Sequence, residues 1–265
     1  MSHGDKYIMK VFRSMKGLTG VLVLMFLCLT LSAQDNAALI GKGNKDYAAG
    51  LYNNSIEDYL KVVRNGYESP ELYYNLGNAY FKANDLPSAI LYYEKAKKLK
   101  PNDPDINFNL HIANSLIVDK IDPVPQLFYI RWWKSLYHLF DVNGWAWFNV
   151  ASFIVLLALI ITVIISRKAL LRHVTSWLAV IVLVIFFFSL GFSLQTYHSF
   201  KKANEAIVFN PSVTVKSSPS ENSIDLFVVH EGTKVKITDT VGDWYEIHIA
   251  NGSVGWMKAA SVKKI

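Results

Sequence analysis

Two stretches decide how this chain is read: WAWFNVASFIVLLALIITVII, Trp145 to Ile165, and VTSWLAVIVLVIFFFSLGFSL, Val174 to Leu194. Each has 21 residues, and neither contains Asp, Glu, Lys or Arg. As helix, such a run rises roughly 32 Å at about 1.5 Å per residue, enough to cross a hydrocarbon layer of about 30 Å. One charge at mid-bilayer costs about 2.5 to 3.5 kcal/mol on insertion scales, so the clean composition points to two membrane spans, 145–165 and 174–194. Between them residues 166–173 carry Arg167, Lys168 and Arg172 and no acid, as expected of a helical hairpin with a basic turn. The outer ends of the hairpin then emerge on one side.

The net charge of +6 looks like a nucleic-acid signal until it is apportioned. Residues 124–202 hold seven basic residues against one acidic, and residues 1–33 hold four against one. The two remaining parts are slightly acidic, with ten basic residues against twelve acidic in 34–123 and six against seven in 203–265. The basicity belongs to the membrane segments, and the phosphate-neutralising surface that nucleic-acid binding requires is missing.

At the start, Lys6, Lys10, Arg13 and Lys16 precede an apolar stretch from Leu18 to Leu31, followed by Ser32 and Ala33. This is the three-part layout of a signal peptide, assigned to 1–33. The only cysteine, Cys28, lies within it, so the chain that follows offers neither a disulfide nor a thiol nucleophile. A basic end retained in the cytoplasm exports what comes next and returns the basic turn to the cytoplasmic side. The expected location is a bacterial inner membrane with both soluble domains in the periplasm.

Residues 34–123 repeat with a period of 34. Gly43 falls on Gly77, Asn44 on Asn78, Tyr47 on Phe81, Ile56 on Ile90 and Tyr59 on Tyr93. The second unit, with Tyr73, Leu76, Gly77, Tyr80, Ala89, Tyr93, Ala96 and Pro101, resembles the tetratricopeptide repeat. The resemblance implies two helical hairpins and a capping helix in which small residues let helices approach closely. It also implies a concave surface bearing Asn44, Tyr47, Tyr74, Asn78 and Phe81 toward a protein partner. Related repeats clamp a carboxylate with two asparagines and basic side chains; Asn44 and Asn75 match the former, whereas Ile40, Asp105 and Asn109 replace the latter.

In 124–144, Tyr129, Trp132, Trp133, Leu136 and Phe140 recur at helical spacing opposite Arg131, Lys134 and Ser135. This pattern predicts an amphipathic interfacial helix, since Trp and Tyr favour the headgroup level. Within the spans, Asn149 is placed to bond across, and Ser189 and Ser193 mark a small-residue face. A linker, 195–204, follows.

From 205 to 265 the periodicity becomes β-like, with strands expected at 213–216, 226–229, 234–238, 244–249 and 254–257, and an Asn251-Gly252 turn. The blocks Val213–Ser220, Glu231–Val235, Gly242–Ile247 and Asn251–Met257 resemble the bacterial SH3-like domain. Its relatives imply a peptidoglycan or peptide ligand, for which Trp244, Tyr245 and Trp256 are the candidates. Alternation puts Tyr245, Ile247 and Ile249 on one face and Trp244, Glu246 and His248 on the other. His230-Glu231 reads as a solvated turn.

No His-x-x-x-His, nucleophile elbow, Walker loop or dinucleotide loop occurs, so no catalytic residue, metal or cofactor is expected and the chain is read as a non-enzyme. The fold class is a multidomain membrane protein: an all-α repeat solenoid, a two-helix transmembrane hairpin and an all-β SH3-like barrel. In that order the modules resemble the BatE family of the Bacteroidetes aerotolerance (Bat) operon. The resemblance implies a membrane-anchored scaffold working with von Willebrand factor A-type membrane proteins in aerotolerance or envelope stress. Wall sensing through the SH3-like domain is the alternative.

Overall fold

A computed structural model describes residues 35–121, 124–125, 127–137, 139–201 and 204–265. The signal peptide expected at 1–33 lies outside the described residues. The chain divides into two compact units, the first ending at Glu68 and the second beginning at Ser69.

In the first unit, helix α1 (35–48) and helix α2 (Tyr52–Arg64) form an antiparallel hairpin. Gly50 turns the chain at φ 77°, a conformation open to a residue without Cβ. A Cβ on Gly43 would fall 2.6 Å from the Tyr59 ring, so glycine lets the ring lie flat on α1. The Tyr59 hydroxyl then donates to Asn44 Oδ1 at 2.6 Å. Buried Asp58 is held by Lys42 at 2.5 Å and Lys61 at 3.1 Å. The Lys42 hydrogen bond leads in keeping its carboxyl below the ordinary aspartate value, against the opposing effect of burial.

The second unit repeats this arrangement. Helix α3 (Pro70–Lys82) and helix α4 (Leu86–Leu99) start at Ser69 and Asp85, whose side chains accept from Leu72 N and Ser88 N, with proline in each first turn. Asn84 turns the chain at φ 61°. Gly77 faces Tyr93 as Gly43 faces Tyr59, with a would-be Cβ 2.5 Å from the ring, and the Tyr93 hydroxyl donates to Asn78 Oδ1 at 2.7 Å. Helix α5 (Pro104–Leu116), capped by Asp103, buries Ile106, Leu110 and Ala113.

Beyond α5 come helix α6 (Phe128–Tyr137), helix α7 (Val142–Ile165) and helix α8 (Ala169–Lys201). Residues 143–165 and 169–198 are long and apolar enough to cross a membrane. The link between α7 and α8 is shorter than the charge pattern suggests, at residues 166–168, because helix resumes at Ala169 and takes in Arg172. Likewise α8 runs through most of the expected 195–204 linker. Asn149 does bond across: its Oδ1 accepts from the Ser189 hydroxyl.

The C-terminal part is one antiparallel sheet in the order β3-β2-β6-β5-β4-β1-β7. Its strands are β1 (Glu205–Val208), β2 (Ser212–Lys216), β3 (Asp225–His230), β4 (Lys234–Val241), β5 (Trp244–His248), β6 (Val254–Lys258) and β7 (Val262–Lys264). Val208, Val215, Val229, Val235, Ile247 and Met257 are buried in its core. The fold class read from the sequence, repeat helices, two apolar helices and an all-β SH3-like sheet, is the observed one. Strands β1 and β7 were not among the expected strands.

Candidate functional site

The SH3-like sheet does not stand apart from the repeat helices. Ile207 of β1 is fully buried, but it packs with Ala89, Ile90, Tyr93, Leu110 and Ala113 of α4 and α5, while its neighbours Ala206 and Val208 enter the core of the sheet. One strand thus feeds two cores from its two faces, as the pleat requires.

Polar contacts surround this seam. The Asp119 carboxylate, just after α5, accepts from His230 N at 2.7 Å and the Thr233 hydroxyl at 2.7 Å, and lies 2.8 Å from His230 Nδ1. Burial works against its charge, but these donors outweigh burial and keep the carboxyl below its ordinary value. The expectation of a solvated His230-Glu231 turn is therefore corrected at His230, which a carboxylate more than a hundred residues earlier holds in place. Gly232 allows the approach, at φ 84° and with a would-be Cβ 2.5 Å from Ile117. After α5, Ile121 packs against the core of the sheet, and Val124 N donates to Ala250 O at 3.0 Å.

Lys234 closes the other side of the seam, 2.9 Å from Glu94 of α4 and 2.8 Å from Glu205 of β1. Burial opposes the ammonium charge, yet the two carboxylates hold its pKa above the ordinary lysine value.

The residues expected on the concave repeat surface are partly committed to the hairpins themselves. In the first unit Asn44 accepts from Tyr59, and Tyr47 meets Tyr52 edge to face at 5.4 Å. In the second unit Asn78 accepts from both Tyr93 and Asn109, and Asn109 also donates to the Tyr74 hydroxyl at 2.9 Å. Phe81 and Tyr74 are half-buried against the helical core. Asn109, which replaces a basic residue of related carboxylate clamps, serves here as a strut between α3 and α5.

Of the three SH3-like candidates, two share a face. Cross-strand pairing sets Trp244 opposite Lys258 and Glu246 opposite Trp256, so both indoles lie on the outer face of β5 and β6. The Lys258 ammonium sits 5.0 Å from the centre of the Trp244 ring and 2.6 Å from Glu221. Tyr245 pairs with buried Met257 on the opposite face and packs against the core. A groove built of all three aromatics is corrected to a surface built of two, because successive strand residues point to opposite faces.

Helix α6 is fastened to both apolar helices. Trp133 packs edge to face on Phe192 of α8 and its indole N–H donates to Gln195 at 3.3 Å. Tyr137 O accepts from the Trp145 indole of α7 at 2.9 Å and from Thr196 of α8 at 3.2 Å. Phe128, Tyr129 and Trp132 remain exposed. Among the described residues no group of three His, Cys, Asp or Glu is placed to hold a metal ion.

Residues 70–103 match the tetratricopeptide repeat family model and residues 211–263 match the bacterial SH3 domain model. The chain therefore carries a tetratricopeptide repeat and a bacterial SH3 domain. The first suggests protein–protein interaction and the second cell-wall binding. No curated protein matches the chain.

Proposed function

We propose that this protein is a non-catalytic scaffold, anchored in a bacterial inner membrane by α7 and α8, whose periplasmic repeats hold a protein partner. The observation that carries this reading is the seam at Ile207. Repeat helices and SH3-like sheet share a core although the apolar hairpin lies between them in sequence, so both must stand at the same end of that hairpin. Export of one is then export of both. By resemblance to the BatE family, the partners are von Willebrand factor A-type membrane proteins and the setting is aerotolerance or envelope stress.

Site-directed photocrosslinking in intact cells tests this. Probes at Asn44 on α1 and at Tyr74 on α3 are expected to capture a membrane protein, whereas a probe at Glu57 on α2 captures none. Equal capture from all three would sink the groove. Protease added to spheroplasts should cut both soluble parts, and protection of either would overturn the orientation.

The second reading is wall binding. It is favoured by the pair Trp244 and Trp256 on one face, an arrangement suited to stacking on sugar rings. Loss of sedimentation with purified wall in Trp244→Ala/Trp256→Ala supports it, and unchanged sedimentation excludes it.

A further inference from the structure

We propose that the cavity between α4 and α6 is a binding site for the headgroup of an anionic phospholipid. This rests on the membrane reading above. The cavity holds about 730 Å³, within the range of about 300 to 1,000 Å³ usual for ligand sites. Its walls include the C-terminal turn of α4 with Lys97 and Lys98, the polar face of α6 with Arg131 and Lys134, and the outer end of α8 with Thr196 and Tyr197, and are completed from α7, β1 and β4.

Two indoles outside the lining set the depth of α6, which forms one of the walls of the cavity. Trp133 and Trp145 are tied to the outer ends of α8 and α7, at the level where Trp anchors mark the headgroup layer. Arg131 lies on the same short helix as Trp133 but lines the cavity, so its guanidinium is carried at that level.

Charge selects the ligand. Glu94, Glu205 and Asp141 also line the walls, but Lys234 bonds both glutamates and Asp141 caps α7 through Gly144 N. Lys98 donates to Ile265 O at 3.2 Å, and Lys97 of α4 and Arg131 of α6 add cationic groups to the lining. A phosphodiester fits: arginine offers it two parallel donors and lysine a point charge. Basic pockets at the ends of membrane helices suit such headgroups. An acyl chain attached to the phosphodiester can run down the apolar flank of α8.

The experiment uses the full chain in detergent, with phosphatidylglycerol or phosphatidylcholine added and retained lipid counted by native mass spectrometry. Wild type should keep one phosphatidylglycerol in preference to phosphatidylcholine. Lys97→Gln/Arg131→Gln should weaken that retention at least tenfold, and Arg167→Gln, at the far basic turn, should leave it unchanged. Arg131→Gln alone, on an exposed position, gives the answer if the double variant melts early. Excess glycerol 3-phosphate should not displace the lipid; full displacement would make this a soluble phosphate-ester site and overturn the proposal, as would equal retention by wild type and variants. Carbonate extraction separates the two claims. Release of wild type from membranes defeats the membrane reading and the site with it, whereas firm retention without lipid selectivity defeats the site alone.

Discussion

Asp119 grips His230 twice, at the backbone N–H and at the ring, each within 2.8 Å. Adding the Thr233 hydroxyl, one carboxylate organises the β3–β4 turn against the end of α5. Truncating it leaves buried donors without an acceptor. Asp119→Ala should therefore cost about 2 to 3 kcal/mol, read as a lower unfolding midpoint, with faster amide exchange confined first to residues 228–234. Exchange in that turn unchanged from wild type would show that Asp119 does not hold the seam.

The same carboxylate sets an acid limit. Its pKa is lowered from the ordinary 3.8 by folding, so its contribution is present above 3.8 and is lost as the pH falls through the lower folded value. Asp58 shifts in the same direction in the first unit. Exchange protection at the β3–β4 turn is expected to hold at about pH 5 and to fail only below the ordinary carboxylate range. Loss already between about pH 6 and pH 5, above the ordinary carboxylate range, would show that Asp119 does not set this limit.

Two glycines two positions apart on α1 should respond oppositely to alanine. Gly41 has nothing within 4 Å of a would-be Cβ, so Gly41→Ala should gain about 0.5 to 1 kcal/mol from helix propensity. Gly43→Ala drives a methyl into Tyr59 and should lose about 1 to 3 kcal/mol, as should Gly77→Ala against Tyr93. Chemical denaturation decides, and a stabilising Gly43→Ala would contradict the ring packing.

On the sheet, position predicts which aromatic matters for what. Tyr245→Ala should destabilise by about 1 to 3 kcal/mol because the ring packs on the core. Trp244→Ala, on the outer face, should shift the midpoint little. A larger loss at Trp244 than at Tyr245 in a thermal melt would reverse the assignment of faces.

Within the hairpin, Asn149→Ala removes the one side-chain bond between α7 and α8 found among the described residues. Such bonds are worth about 0.6 to 1.7 kcal/mol in bilayers. The variant should denature earlier in a detergent titration yet stay in the membrane fraction.

Much of this was legible in advance. A glycine opposite a tyrosine, repeated at 43/59 and 77/93, leaves a visible period because each hairpin solves the same packing problem with the same pair. Charge-free runs announce the apolar helices for an equally local reason. Strand β1 was hidden, because Ala206, Ile207 and Val208 are all buried and show no alternation when one face serves the sheet and the other serves the helices. The role of His230 was hidden too, since its partner lies 111 residues away and nothing in the turn itself encodes that separation. The strut at Asn78 is not legible in its own helix, because its meeting with Tyr93 and Asn109 is a property of the stacked helices and not of any one of them.

Ile207 also imposes an order of events during synthesis. The surface of α4 and α5 that it covers leaves the ribosome before α7 and α8 do, and its cover is translated only after both have been made. Until then the half-built hairpins present an uncovered apolar patch where Ile207 will later pack.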